Sequence, residues 1–176
     1  MGRPKRVLSL SERWYDCVHI ASFVVMFIVA YTIDIVSGIS PVGQRLSNCS
    51  VVWGVSLENA HFWPPRFFYA TVLDYCKRAD EVFCMNPMWM KVMALWSPLF
   101  YGPFYVFSVY AFVRGRDWIR IPGLMWAWGM FYTVTVILFE EFGGDYPSPD
   151  FPLVFLANLW YCAQSMVVVL ISLVFV

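Results

Sequence analysis

The apolar positions of this chain fall into four long runs, 14–36, 89–113, 118–139 and 151–175, separated by segments rich in proline, glycine and charge. The pattern is clearest in the middle. Residues 88–113 carry a single charge, Lys91, and 123–139 carry none. Between them lies the basic break Arg114-Gly115-Arg116-Asp117-Trp118-Ile119-Arg120-Ile121-Pro122. At about 1.5 Å of rise per residue, each run is long enough as a helix to cross, or nearly cross, a hydrocarbon core of roughly 30 Å. The break is too polar to stay in lipid, so 88–139 reads as a membrane helical hairpin. With the first and last runs added, the pattern predicts an all-α polytopic membrane protein. It is a four-transmembrane-helix bundle with a long loop, 37–88, between helices one and two, and 1–176 forms one membrane domain.

The first run is too long for the apolar core of a signal peptide and lacks a small-x-small cleavage site, so it is expected to be a retained helix. The long loop is broken by Pro41, Gly43, Gly54, Pro64, Pro65 and Pro87. Within it, 66–83 is amphipathic: Phe67, Phe68 and Tyr69 lead into Asp74, Lys77, Arg78, Asp80 and Glu81, the composition of a short interfacial helix. An acidic, turn-rich stretch, 140–152, joins helices three and four.

Composition narrows the class. The chain is 60% hydrophobic and 20% aromatic with only 14% charged residues, and its mean hydropathy is +0.62. That suits a membrane protein and not a soluble domain. A net charge of zero without a long basic run excludes nucleic acid as a partner. Cys17, Cys49, Cys76, Cys84 and Cys162 show neither CxxC spacing nor paired histidines, so no metal site or cofactor is expected. Cys17 and Cys162 fall in apolar runs as packing residues. Cys49, Cys76 and Cys84 share the long loop, where two of them can pair without the sequence saying which.

Charge also orients the chain. Arg3, Lys5, Arg6 and Arg13 precede helix one, Arg114, Arg116 and Arg120 lie between helices two and three, and 140–152 holds no Lys or Arg. The positive-inside rule places both termini and the basic turn on the cytoplasmic side. The long loop then faces a lumen, where Asn48-Cys49-Ser50 is a glycosylation acceptor sequence.

Polar groups at membrane depth are costly and therefore point to function. Asp34 ends helix one. Ser97 and Tyr101 lie about 12–18 Å into helix two, Thr133 about 9 Å before the end of helix three, and Asn158 and Tyr161 about 10–15 Å into helix four. Alternating helix directions bring all of them to the loop half of the bundle, with Trp96, Trp126, Trp128 and Trp160 expected as walls. Pro98, Pro103 and Pro122 are expected to bend or loosen their helices around this pocket. The pocket is apolar with a few polar anchors, suited to a sterol-like or amphipathic amine ligand. His19 lies away from the set as a packing or interface histidine.

Particular stretches carry a family resemblance. Leu95-Trp96-Ser97-Pro98 resembles a tryptophan-x-proline segment of the emopamil-binding sterol isomerases. Tyr110-Ala111-Phe112-Val113-Arg114-Gly115, Trp118-Ile119-Arg120-Ile121-Pro122 and Phe139-Glu140-Glu141-Phe142 resemble the sigma-2 receptor branch of the same EXPERA family. The similarity extends from about 64 to 142, and 42–62 looks like an insertion. The resemblance implies that Asp34 meets the ligand amine, that Asp80 braces that site, and that Thr133, Asn158 and Tyr161 line it. It implies a place in the endoplasmic reticulum membrane. Two departures count against catalysis: Ser97 stands where both branches place a helix-two glutamate, and Phe23 stands four residues after His19 in place of a second carboxylate. If Asp34 sets the register, Met26 takes the position of the family histidine. Double-bond isomerisation needs a positioned acid and a base, and a serine hydroxyl is far too weak an acid. The expected function is therefore non-catalytic lipid binding. The candidate ligand contacts are Asp34, Asp80, Ser97, Tyr101, Trp126, Thr133, Asn158 and Tyr161, with no catalytic residue. The alternatives are a structural subunit of a larger membrane complex, a homodimer included, and, third, a sterol isomerase using other groups.

Overall fold

The computed structural model describes residues 14–39, 63 and 65–174, with side chains described over 16–39, 63 and 65–170. The basic N-terminal tail, Asn48-Cys49-Ser50 and the whole 42–62 stretch lie outside the described residues. The described elements are helical throughout. Helix α1 (Trp14–Val29) runs through a π-helical turn (Ala30–Asp34) into α2 (Ile35–Ile39). The loop contributes α3 (Arg66–Arg78) and α4 (Glu81–Met85). A second continuous rod comes next: α5 (Met88–Trp96), a π-helical turn (Ser97–Tyr101) and α6 (Gly102–Arg114). A short 3-10 turn (Asp117–Ile119) leads into α7 (Arg120–Gly143), and α8 (Phe151–Val174) closes the bundle. Four stretches are long and apolar enough to cross a membrane: Asp16–Ile39, Met88–Arg114, Asp117–Gly143 and Phe151–Leu170. The protein is a polytopic membrane protein with four spans and a long connection between the first two.

Local chemistry sets the element ends. Gly115, at φ 61, ends α6 in the left-handed conformation. Arg116 N–H then donates to Ala111 O at 2.9 Å, satisfying one of the last carbonyls. Asp117 and Arg120 form an ion pair at 3.0 Å across the turn. Pro122, expected to bend its helix, sits instead in the first turn of α7, where a missing N–H costs nothing. The amphipathic 66–83 stretch forms two helices because Asp80 starts a new one: its carboxylate accepts from Phe83 N–H at 2.7 Å as an N-cap.

Pro98 and Pro103 do distort span two, through the π turn. In such a turn each carbonyl accepts from the N–H five residues on, as Ser97 O does from Gly102 N–H. The carbonyl of Pro98 would look to residue 103, a proline with no N–H. Tyr31 from span one fills the gap, its hydroxyl donating to Pro98 O at 2.9 Å. The ring fits because residue 102 is glycine: a Cβ there would lie 2.6 Å from Tyr31 Cε2. The two π turns thus pack on each other at the same depth.

Span one packs along span two, and α7 packs along α8. The main core centres on Phe23, fully buried against Phe104, Tyr105, Phe112 and Trp126. A smaller core joins α3 to the end of span one through Tyr69, Val72, Leu73, Cys76, Cys84 and Val36. Large apolar side chains such as Ile121, Met125, Trp128, Phe139 and Phe142 stay exposed on the outer faces, as expected of surfaces covered by lipid.

Candidate functional site

Where the two π turns meet, the bundle leaves a cavity of about 130 Å³, open on one side. Asp34, the last residue of the first π turn, faces Ser97, the first residue of the second, and the two side chains are hydrogen-bonded. Around them stand Tyr101 and Tyr105 from span two, Thr133 from α7, and Asn158 and Tyr161 from α8. Asp34 is the sole carboxyl group on the wall among the described residues.

Most of the polar side chains on this wall are held from behind. Thr133 Oγ1 donates to Gly129 O at 2.9 Å, so the Tyr101 hydroxyl that bonds Thr133 acts as donor. Gly129 makes that reach available, because a Cβ there would lie 2.5 Å from Tyr101 Oη. Trp96 donates to Tyr101 from the other side. Tyr105 Oη accepts from Trp126 Nε1 at 3.4 Å. Asn158 Nδ2 donates to Val154 O at 3.0 Å, which leaves its amide oxygen as an acceptor.

Of the residues singled out from sequence, Asp34, Ser97, Tyr101, Thr133, Asn158 and Tyr161 all border the cavity, whereas Asp80 and Trp126 do not. Trp126 is buried in the main core behind Tyr105. The tryptophan walls expected from depth alone are absent: Trp96, Trp128 and Trp160 are exposed on the outside of the bundle. Methionines take their place, with Met26, Met90, Met93 and Met130 on the lining. Sequence reasoning passed over these and Tyr105, although Tyr105 comes after Ser97 and Tyr101 at successive helical spacings of four. His19 lies elsewhere, buried, its Nδ1 2.8 Å from Gln164 Nε2 and its ring stacked on Phe112.

Asp80 belongs to a second polar cluster, at the edge of the cavity. Phe83, on α4, lines the cavity, and both ends of α4 are tied down. At its C-terminus, Asn86 is fully buried at φ 44, its Nδ2 donating to Ser37 O at 2.8 Å while Ser37 Oγ donates to its Oδ1 at 3.1 Å. At its N-terminus, Glu141 Oε1 from α7 accepts from Val82 N–H at 3.2 Å, beside the Asp80 cap. Burial pushes the Asp80 carboxyl above the usual carboxylate range. The Tyr75 hydroxyl, bonded to Asp80, is pushed up by burial and by the Asp80 charge. Cys76 is a buried free thiol pushed up by burial, whereas Cys84 is disulfide-bonded.

A four-span helical membrane protein with one carboxyl on the described wall of a cavity between its helices is the class that fold and site define. Residues 66–175 match the family model described as EXPERA (EXPanded EBP superfamily). The chain belongs to that family. It is similar to the protein described as "Sigma intracellular receptor 2" from Xenopus tropicalis, 28% identical over 93 residues, covering 49% of this chain and 54% of the relative. The chain thus spans about half the length of that curated relative. No solved structure matches.

Proposed function

We propose that this protein binds a single amphipathic lipid, sterol-like or amine-bearing, with its polar end against Asp34 and without chemical turnover. The observation that carries this reading is the composition of the cavity wall: one carboxyl bonded to Ser97, among neutral hydroxyls, an amide and methionines. Such a wall complements a ligand with one hydroxyl or ammonium on an apolar body. Isomerisation needs an acid and a base in reach of the ligand, and Asp34 has no second carboxyl beside it on the described wall. At about 130 Å³ the cavity is smaller than the roughly 300–1,000 Å³ usual for ligand pockets. The ligand therefore seats its polar end inside and extends its body through the open side, or the flexible methionines give way around it.

Orientation comes from the same reading. The disulfide at Cys84 supports a loop that faces an oxidising compartment, with both termini and the arginine turn in the cytoplasm. Family membership favours the endoplasmic reticulum as the site. Photo-crosslinking with a sterol probe, mapped by peptide mass spectrometry, tests the binding site. Adducts at Met26, Met93 or Met130 are expected; adducts confined to outward residues such as Trp128 and Phe139 would overturn it. The small volume of the cavity favours one second reading, a structural subunit with a relic pocket. Isolation only in a stoichiometric complex, with no bound lipid of its own, would support that reading.

A further inference from the structure

We propose that Asp80 and Glu141 form a proton-held latch that keeps α4, and with it Phe83, closed over the edge of the cavity. The inference rests on the geometry of the loop and does not depend on which ligand the cavity takes. Asp80 and Glu141 are both buried, 4% and 1% exposed. Each accepts a backbone N–H from the first turn of α4, Asp80 from Phe83 and Glu141 from Val82. Their carboxyl groups also lie side by side, close enough to act on each other. Two buried carboxylates side by side offer only acceptors and repel, so the pair is held together only while one of them carries a proton. The same proton accounts for Glu141 Oε2, which is buried and otherwise finds no donor. Buried carboxylate oxygens are rarely left so.

Among the described residues, nothing around the pair substitutes for the proton. The groups that act on the pair are Tyr75 and Cys76 from α3 and Glu81 from α4 itself, and none of them carries a positive charge. The acidic turn after α7 closes the site through Ser148, whose N–H donates to Glu141 O at 2.8 Å and whose hydroxyl donates to Ala79 O at 2.5 Å. Desolvation raises the Asp80 carboxyl above the usual carboxylate range.

Opening is coupled to proton release. An opened latch exposes two ordinary carboxyls, with values near 4, so opening above about pH 5 releases the shared proton. The opening equilibrium then rises about tenfold per pH unit, until the closed pair loses its own proton. Closure is strongest in an acidic compartment and is lost as pH rises.

Amide hydrogen exchange at Val82 and Phe83, on the full chain in nanodiscs, tests this from about pH 5 to about pH 8 against Glu141→Gln. The glutamine amide donates to Asp80 without a titrating proton, and its oxygen still accepts from Val82. The ratio of wild-type to variant exchange cancels the intrinsic rate, and it is expected to climb about tenfold per pH unit. Asp80→Asn provides the same comparison if the first variant does not fold, since its amide donates to Glu141 and its oxygen still caps Phe83. A ratio independent of pH overturns the latch. So does wild-type protection that a divalent-cation chelator abolishes at constant pH, because the pair would then be bridged by metal and not by a proton.

Discussion

Asp34 is an acid with a neutral partner. Its hydrogen bond to Ser97 leaves the charge without a counter-ion on the described wall, and in the proposed function a ligand ammonium or hydroxyl completes it. A hydrogen bond to a charged group contributes about 1.5–3 kcal/mol, so Asp34→Asn should weaken a cationic amphiphile about 10- to 100-fold, read by competition binding. A neutral sterol should lose less. Tyr31 makes a different kind of contribution: its hydroxyl serves a carbonyl that Pro103 cannot. Tyr31→Phe orphans that oxygen in the membrane interior and is expected to cost about 1–3 kcal/mol, seen as a lowered thermal midpoint with ligand affinity little changed.

Among the elements, the site is the product of two π turns meeting. The two turns are in contact, with Asp34 at the end of one and Ser97 at the start of the other. Close packing depends on small residues here. Gly129→Ala would drive a methyl into Tyr101 Oη, 2.5 Å away, and detach that hydroxyl from Thr133. A destabilisation of about 1–3 kcal/mol is expected from overpacking, together with a smaller cavity and weaker binding. A variant that bound ligand as well as the wild type would show that Tyr101 is not a wall of the binding site.

The sequence was informative about these elements to an uneven degree. Four apolar runs with polar breaks became four spans because lipid permits no other use of such runs in a helical protein. Counting depth along each helix found Asp34, Ser97, Thr133 and Asn158, because rise per residue is nearly constant. Depth says nothing about which face a residue occupies, and Trp96, Trp128 and Trp160 point outward for that reason. Nor does local pattern announce a π turn, although Pro98 and Pro103 marked span two as irregular. The pairing of Asp80 with Glu141 joins a loop to the far end of another helix, and no periodicity links them. The doubled acidic residue in Phe139-Glu140-Glu141-Phe142 was visible, but not which of the two would be buried.

Taken together, the described residues form two packed units in contact. A membrane-embedded aromatic core around Phe23 supports the cavity from below, and the α3–α4 segment covers its edge, pinned by Asn86 to span one and by Asp80 and Glu141 to span three. The first unit fixes Asp34, and in the proposed latch the second closes over the edge of its cavity. The decisive experiment is native mass spectrometry of the purified protein in mild detergent, wild type beside Asp34→Asn. The wild type is predicted to retain one sterol-sized or amine-bearing lipid per chain, and the variant to lose it with its fold intact. Equal lipid retention by both proteins, or a wild type found empty and only within a larger assembly, would contradict the claim that this cavity is a binding site.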